Sequence, residues 1–238
     1  MDITTLLVGM VVFLAVFTQS LSGFGVALVA MALLPAVIDL NIATPIVAIV
    51  GLVLEGVLVT YYRQSMDVRA VWKIALAAVI GTPFGVFFLT RANERVALGL
   101  LGVVIVGYAL YALLGLKMPH IRSSIWAYLA GLLGGILGGA YNTSGPPVII
   151  YADCRRWPPD VFKGNLQGYF IIVSSAVAVS HALSGNFTPQ VWSMALWTLP
   201  FLAVGIVAGL SLDRWLNPAL FRRIVLVLLV LMGVKLIF

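Results

Sequence analysis

Charge is scarce in this chain: eight Asp and Glu stand beside fourteen Lys and Arg in 238 residues. Charged residues make up 9% of the sequence, where a soluble domain carries roughly 25%. Cysteine occurs once, at Cys154, which excludes an internal disulfide and a cysteine-based metal cluster. There is no phosphate-cradling glycine loop, no metal-ligand spacing and no ATPase motif. Low-complexity linkers are missing too. No cleavable signal peptide is expected, since the first residues hold Asp2 and no Lys or Arg, and no small-residue cleavage site ends a short apolar core. A net charge of +6 would suggest nucleic acid in a soluble protein. Here the basic residues sit in short loops between apolar runs, where membrane topology explains them.

What the chain has instead is apolar length. Hydrophobic residues make up 62%. They fall into eight runs: Ile3–Ala36, Ile42–Tyr62, Val71–Thr90, Val96–Leu116, Ile125–Ala152, Val161–Leu183, Val191–Leu212 and Leu220–Phe238. Six have ordinary spanning length, about 20 residues for a 30 Å hydrocarbon core. The first and fifth are longer. As one helix the first would reach about 50 Å, too long for one span and too short for two.

Both long runs are interrupted by small, polar, helix-breaking residues. The first holds Gln19-Ser20-Leu21-Ser22-Gly23-Phe24-Gly25 and the fifth Asn142-Thr143-Ser144-Gly145-Pro146-Pro147. Lipid cannot satisfy backbone groups, so a break at membrane depth lines a cavity or is buried in protein. Paired breaks in corresponding halves point to a transporter's substrate site. The alternative is a pair of kinks that help helices pack. Two half-length helices meeting at each break, with the chain returning to the side it left, fit the run lengths.

Loop charges bear on this. Eight simple spans with the N-terminus outside divide the Lys and Arg residues eight inside to six outside. Making the first and fifth runs re-entrant changes the division to eleven inside and three outside (Arg91, Arg95 and Lys235). The positive-inside rule favours the second arrangement. Each half then crosses three times, so the halves have opposite orientations, as inverted repeats require. Pro83 lies in Gly81-Thr82-Pro83-Phe84-Gly85, and Pro200 lies in Leu199-Pro200-Phe201, followed by Gly205 and Gly209. Glycines four apart let helix backbones approach closely. The expected fold is an all-α polytopic membrane protein of two inverted repeats, 1–118 and 119–238. Each is a re-entrant or broken helical hairpin plus three transmembrane helices, and the Lys117–Ser124 segment joins them.

These residues resemble the TauE/SafE family of sulfite and organosulfonate exporters, within the toluene sulfonate uptake permease group. The likeness rests on Gln19 to Gly25, on Gly138-Gly139-Ala140 through Ser144-Gly145-Pro146-Pro147, and on the Pro83 and Pro200 segments. It covers the whole chain. The resemblance implies a multi-pass carrier of sulfur-containing anions in a bacterial-type inner membrane. With the charge pattern, both termini are expected outside. Members differ in substrate and in direction, so neither is fixed.

The second helix of each hairpin starts at the break, where its N-terminus carries about half a positive charge and unpaired N–H groups. That is an anion site without a basic side chain. Ser22 is expected to cap the first such helix, with Gly23 and Gly25 letting a ligand approach their N–H groups. Thr143 or Ser144 is expected to cap the second. Pro146 and Pro147 lack N–H groups, so Asn142 and the hydroxyls of Thr143 and Ser144 are expected to compensate. The candidate substrate contacts are Gln19, Ser20, Ser22, Gly23, Phe24, Gly25, Asn142, Thr143, Ser144, Gly145 and Gln167. Each polar one could instead satisfy the freed backbone of the break itself.

Glu55 lies about 12 Å below its helix end, on a face with Thr44, Ala48, Gly51 and Tyr62. His181 shares a face with Lys163, Gln167 and Ser174. Intramembrane ionisable groups are costly and usually functional, so both are candidate coupling groups. The preferred reading of His181 is that it simply reaches water near the outer loop. Glu55 either carries a coupling proton or stays protonated and bonds a neighbouring helix. No catalytic residue, metal or cofactor is expected. The partners expected are a small sulfur-containing anion and the lipid bilayer, with no nucleic acid; homo-oligomerisation stays open. Secondary carrier, channel and intramembrane enzyme compete as classes. A channel would show currents far above carrier turnover, and an enzyme would release a product.

Overall fold

The structure is a computed structural model that describes residues 3–116, 119–121, 123–212 and 218–238. These residues form ten α-helices. They are α1 (Ile3–Ser22), α2 (Val26–Leu33), α3 (Leu40–Tyr62), α4 (Val68–Arg91), α5 (Glu94–Leu114), α6 (Ile125–Tyr141), α7 (Gly145–Arg155), α8 (Pro159–Leu183), α9 (Pro189–Leu212) and α10 (Pro218–Ile237). Short 3-10 turns follow α2 (Leu34–Ala36) and α3 (Arg63–Ser65). The last three helices begin on proline, whose missing N–H costs nothing at a first helical position.

Among the described residues, α1, α3, α4, α5, α8 and α9 are long and apolar enough to cross a membrane. The tenth helix is 20 residues long but carries Arg222, Arg223 and Lys235. The two long apolar runs each break into a pair of helices, as expected. Their legs, however, are not half-length. The first leg, α1, has 20 residues and the second, α2, has 8. In the other pair the lengths are 17 and 11. The polar break lies well past the middle of each run, so the first leg is the long one.

Each pair packs on itself, α1 on α2 and α6 on α7. The α6–α7 hairpin also closes at its open end. The Ile121 N–H, just before α6, donates to the Cys154 carbonyl at 3.2 Å. The Arg155 guanidinium donates to the Ile121 carbonyl at 3.2 Å. The chain therefore leaves α7 beside the point where it entered α6. Lys117, Met118 and Arg122 of the expected join, and Arg214, lie outside the described residues.

Two compact units make up the chain. The first comprises 1–50, 91–116 and 187–238; the second comprises 51–90 and 117–186. Helix α3 divides between them at Gly51. In the first unit α9 packs along α1, and α10 packs along α5 and α2. Gly205 of α9 faces Phe13 and Val16, and Gly209 faces Phe17 and Ser20. In the second unit α4 lies against α6 with no side chain between the backbones. A Cβ on Gly135 would overlap the Ala78 carbonyl, and one on Gly85 would overlap the Ile136 carbonyl. Each hairpin's long leg is thus sealed by a proline-containing helix from the other half of the sequence, α9 on α1 and α4 on α6.

Candidate functional site

The first break is built by α1 running on to Ser22 and by two glycines with left-handed backbones. Gly23 has φ 86° and Gly25 has φ 115°, a region L side chains avoid. Gly25, not Ser22, occupies the N-cap position of α2, and glycine has no side chain to cap with. Gln19 does the capping from a turn back: its Oε1 accepts from the Val26 N–H at 2.9 Å, in a fully buried position. The Ser22 hydroxyl lies within reach of the Thr18 carbonyl (2.7 Å) and the Phe24 carbonyl (2.6 Å). It therefore serves the break itself. Nor is the Gly23 N–H a free donor, since it bonds to the Gln19 carbonyl at 2.7 Å. The first N–H groups of a helix have no intrahelical acceptor; in α2 they belong to Val26, Ala27 and Leu28, and Gln19 takes the first. Phe24 is buried and meets the Tyr108 ring edge-on at 6.2 Å.

Gln19 is therefore a structural cap whatever else it touches. Replacing it with methionine, which has similar bulk and no strong acceptor, leaves the Val26 N–H unpaired. The cost is about 1–3 kcal/mol. At roughly 2–4 °C per kcal/mol, the melting temperature of the purified protein falls by several degrees in scanning fluorimetry. An unchanged Tm would remove the capping role.

The second break differs in its donors. Asn142 ends α6 with φ 58° and its N–H bonds to the Gly138 carbonyl at 2.7 Å; asparagine is one of the few side chains that tolerates this conformation. Ser144 holds the N-cap position of α7 but makes no side-chain capping bond. A capping oxygen accepts from the second or third helical N–H. Here those positions are Pro146 and Pro147, which have none. Of the first three residues of α7, only Gly145 offers an N–H.

Buried hydroxyls belong to residues at both breaks. The Thr143 Oγ1 and the Tyr141 hydroxyl are buried with no hydrogen-bond partner, in residues 1% and 2% exposed. Ser20, 1% exposed, is in the same condition at the first break. Buried polar atoms are almost always paired, so three unpaired hydroxyls at two helix breaks stand out. Tyr141 was not among the residues expected from sequence, although it directly precedes Asn142. The fully buried Tyr169 of α8 was also not anticipated; its hydroxyl donates to the Ser144 carbonyl at 3.5 Å.

The remaining expected residues lie on α3 and α8. Glu55 is 3% exposed and Gln167 is fully buried. His181 does not reach water: it is fully buried, and its Nδ1 lies 2.8 Å from the Asn186 side-chain nitrogen. The loop after α8 folds Asn186 back over the ring and also bonds its N–H to the His181 carbonyl at 3.0 Å. Closeness to a loop in sequence therefore did not mean exposure.

Buried helix breaks inside apolar hairpins, among helices long enough to span, are the pattern of transporters with discontinuous helices. The sequence matches the family described as "Sulfite exporter TauE/SafE" over residues 8–236. The chain belongs to that family, so it is a multi-pass membrane transporter and not an enzyme. It is similar to a "Probable sulfite/organosulfonate exporter TauE" of Cupriavidus necator, 26% identical over 226 residues, covering 92% of this chain and 88% of the relative. It is also similar to a "Probable inner membrane transporter protein TsaS" of Comamonas testosteroni, 25% identical over 171 residues and 71% of each chain. No solved structure matches it.

Proposed function

We propose that this chain is a secondary carrier that exports sulfur-containing anions, such as sulfite, sulfoacetate or related organosulfonates, by alternating access in a bacterial inner membrane. The observation that carries the reading is the set of buried hydroxyls without partners at both helix breaks, Ser20 in one and Tyr141 and Thr143 in the other. At each break taken by itself, an anion's oxygens would accept from the hydroxyls there and from the helix N-terminus that follows. Ser144, Gly145 and Gln167 join them as proposed contacts. Gln19, Ser22, Gly23 and Asn142 serve mainly to shape the breaks. The two halves, 1–118 and 119–238, are read as inverted repeats with both termini outside. Support comes from the recurrence of hairpin, proline helix and close glycine contact in each half.

Neutral donors leave the anion its full charge as it crosses. A potential that is negative inside then drives it outward by about 2.3 kcal/mol per charge at 100 mV. That sustains gradients of tens-fold per charge without a coupled ion. Proteoliposomes loaded with labelled sulfonate test this. An inside-negative potential set with potassium and valinomycin accelerates efflux. The second reading is proton-coupled carriage or uptake, favoured by the buried Glu55. It wins if efflux ignores the potential, follows a pH gradient, and loses that response in Glu55→Gln.

A further inference from the structure

A groove runs through the first unit from the α1–α2 break to the far end of α10. It is seen as three adjoining cavities. The largest, about 410 Å³, has Arg95, Lys235 and Glu94 at its rim and Leu98, Met232 and Leu236 among its walls. Next comes an apolar stretch of about 150 Å³, which shares Ala32 and Met232 with the first. Last is a constriction of about 20 Å³ at Ser22, Phe24 and Gly25, which shares Thr18, Val29, Val225 and Leu229 with the second. Phe221, Val225, Leu229, Met232 and Leu236 are spaced four, four, three and four residues apart. That spacing places them on one face of α10, so a single helix floors the whole groove. From Phe221 to Lys235 it extends for about 21 Å.

The lining chemistry changes along the way. Thr18 adds no free polar group to the apolar stretch, because its hydroxyl donates to the Leu14 carbonyl at 2.7 Å. A bare, strongly hydrated oxyanion gains nothing from such a wall. An anion with a hydrocarbon body does, because covering its apolar surface removes that surface from water. The charged side chains at the rim are Arg95, Lys235 and Glu94, whose Oε1 accepts from the Leu40 N–H at 3.5 Å; Phe238, the last residue of the sequence, also lines the cavity. The inner end is narrow enough to hold little more than a water and is flanked by the Phe24–Tyr108 pair.

We infer that this groove is the substrate's passage between the first helix break and the α10 end. It carries sulfonates with an apolar body, the acid group meeting Arg95 and Lys235 while the hydrocarbon lies on α10. The inference rests on the export reading above and deepens it by naming the route. The passage is shut at Phe24 and Tyr108 in this conformation.

Cysteine accessibility tests the route, and the single native cysteine makes the background simple. Val225→Cys, Met232→Cys and, as a lipid-side control, Ile224→Cys are each built on Cys154→Ala. Each protein is placed in phosphatidylcholine vesicles and modified with a charged methanethiosulfonate. Toluenesulfonate is expected to slow modification at Val225 and Met232 at least tenfold and to leave Ile224 unchanged. Arg95→Glu with Lys235→Glu should raise the concentration needed for protection by tenfold or more. Efflux of toluenesulfonate is measured in the same vesicles. Efflux without protection keeps the export reading and overturns the groove. Protection without efflux keeps the groove and overturns export. Protection by added phosphatidylglycerol, but not by toluenesulfonate, overturns the proposal in favour of a lipid site.

Discussion

Replacing Gly135 by valine is expected to leave no folded protein. The α4–α6 contact brings main chains together, and a Cβ at this position falls on the Ala78 carbonyl, with the Ala78 Cα only 2.7 Å away. Overpacking a core usually costs about 1–3 kcal/mol, because side chains can shift. Here the obstacle is backbone on both sides, so no rotamer relieves it and the helices must separate. Gly131 and Gly139 sit one turn away on either side against the Ile74 and Thr82 carbonyls. Separating at one point therefore opens the whole seam. The loss exceeds roughly 4 kcal/mol, the exceptional end of single substitutions. Gly107→Val on α5 is the control, since nothing lies within 4 Å of a Cβ there. Detergent-solubilised yield and gel-filtration profile read the result. A monodisperse Gly135→Val protein would mean that the seam is far looser than described.

Tyr141→Phe and Thr143→Val should separate binding from stability. Each removes one buried hydroxyl with little change of shape. Such a group, buried without a partner, is a liability of about 1–3 kcal/mol in the empty protein. Without ligand, the variants should therefore melt at the same temperature as the parent or a few degrees higher. A hydrogen bond to a charged group is worth about 1.5–3 kcal/mol. The affinity for sulfite or toluenesulfonate should then fall by roughly ten- to a hundredfold per hydroxyl. Thermal-shift titration measures both quantities together, since bound ligand raises Tm according to its occupancy. Unchanged affinity with raised Tm would show that these hydroxyls face no substrate. Lowered Tm would show that they have protein partners after all.

The apolar runs were legible because spanning length and hydropathy depend on local composition alone. Their ends agree with the helices to within a few residues, from Ile3 to Ile237. Both breaks were legible from local composition too, because polar residues stand beside Gly23 and Gly25 and beside the Pro146–Pro147 pair within otherwise apolar runs. The capping chemistry was not. Ser22 matched the preferred residue type, but Gly25 took the N-cap position with φ 115°. The acceptor came from Gln19, seven residues before Val26, a reach no local capping rule contains. The positions of the breaks agree with the structure, but their legs are not half-length: 20 and 8 residues flank the first. His181 was misplaced because its burial comes from the fold of the following loop. The unpaired state of Tyr141 and Thr143 follows from which neighbours fail to reach them, and periodicity carries no such information. Which helix seals which hairpin was also out of reach, since α1 and α9 are distant in sequence.

That distance has a consequence for biogenesis. Unit 2 ends at Asn186, before the ribosome has begun α9 and α10. Unit 1 cannot close until they arrive. The α1 helix begins at residue 3 and its partner α9 at residue 189, so 186 residues of synthesis separate them. At about 5–20 residues per second the first hairpin waits some ten to forty seconds. Through that interval the Ser20 side of α1 faces lipid or the insertion machinery in place of Gly209. The α1 helix is thus translated well before α9 and is enclosed only after it.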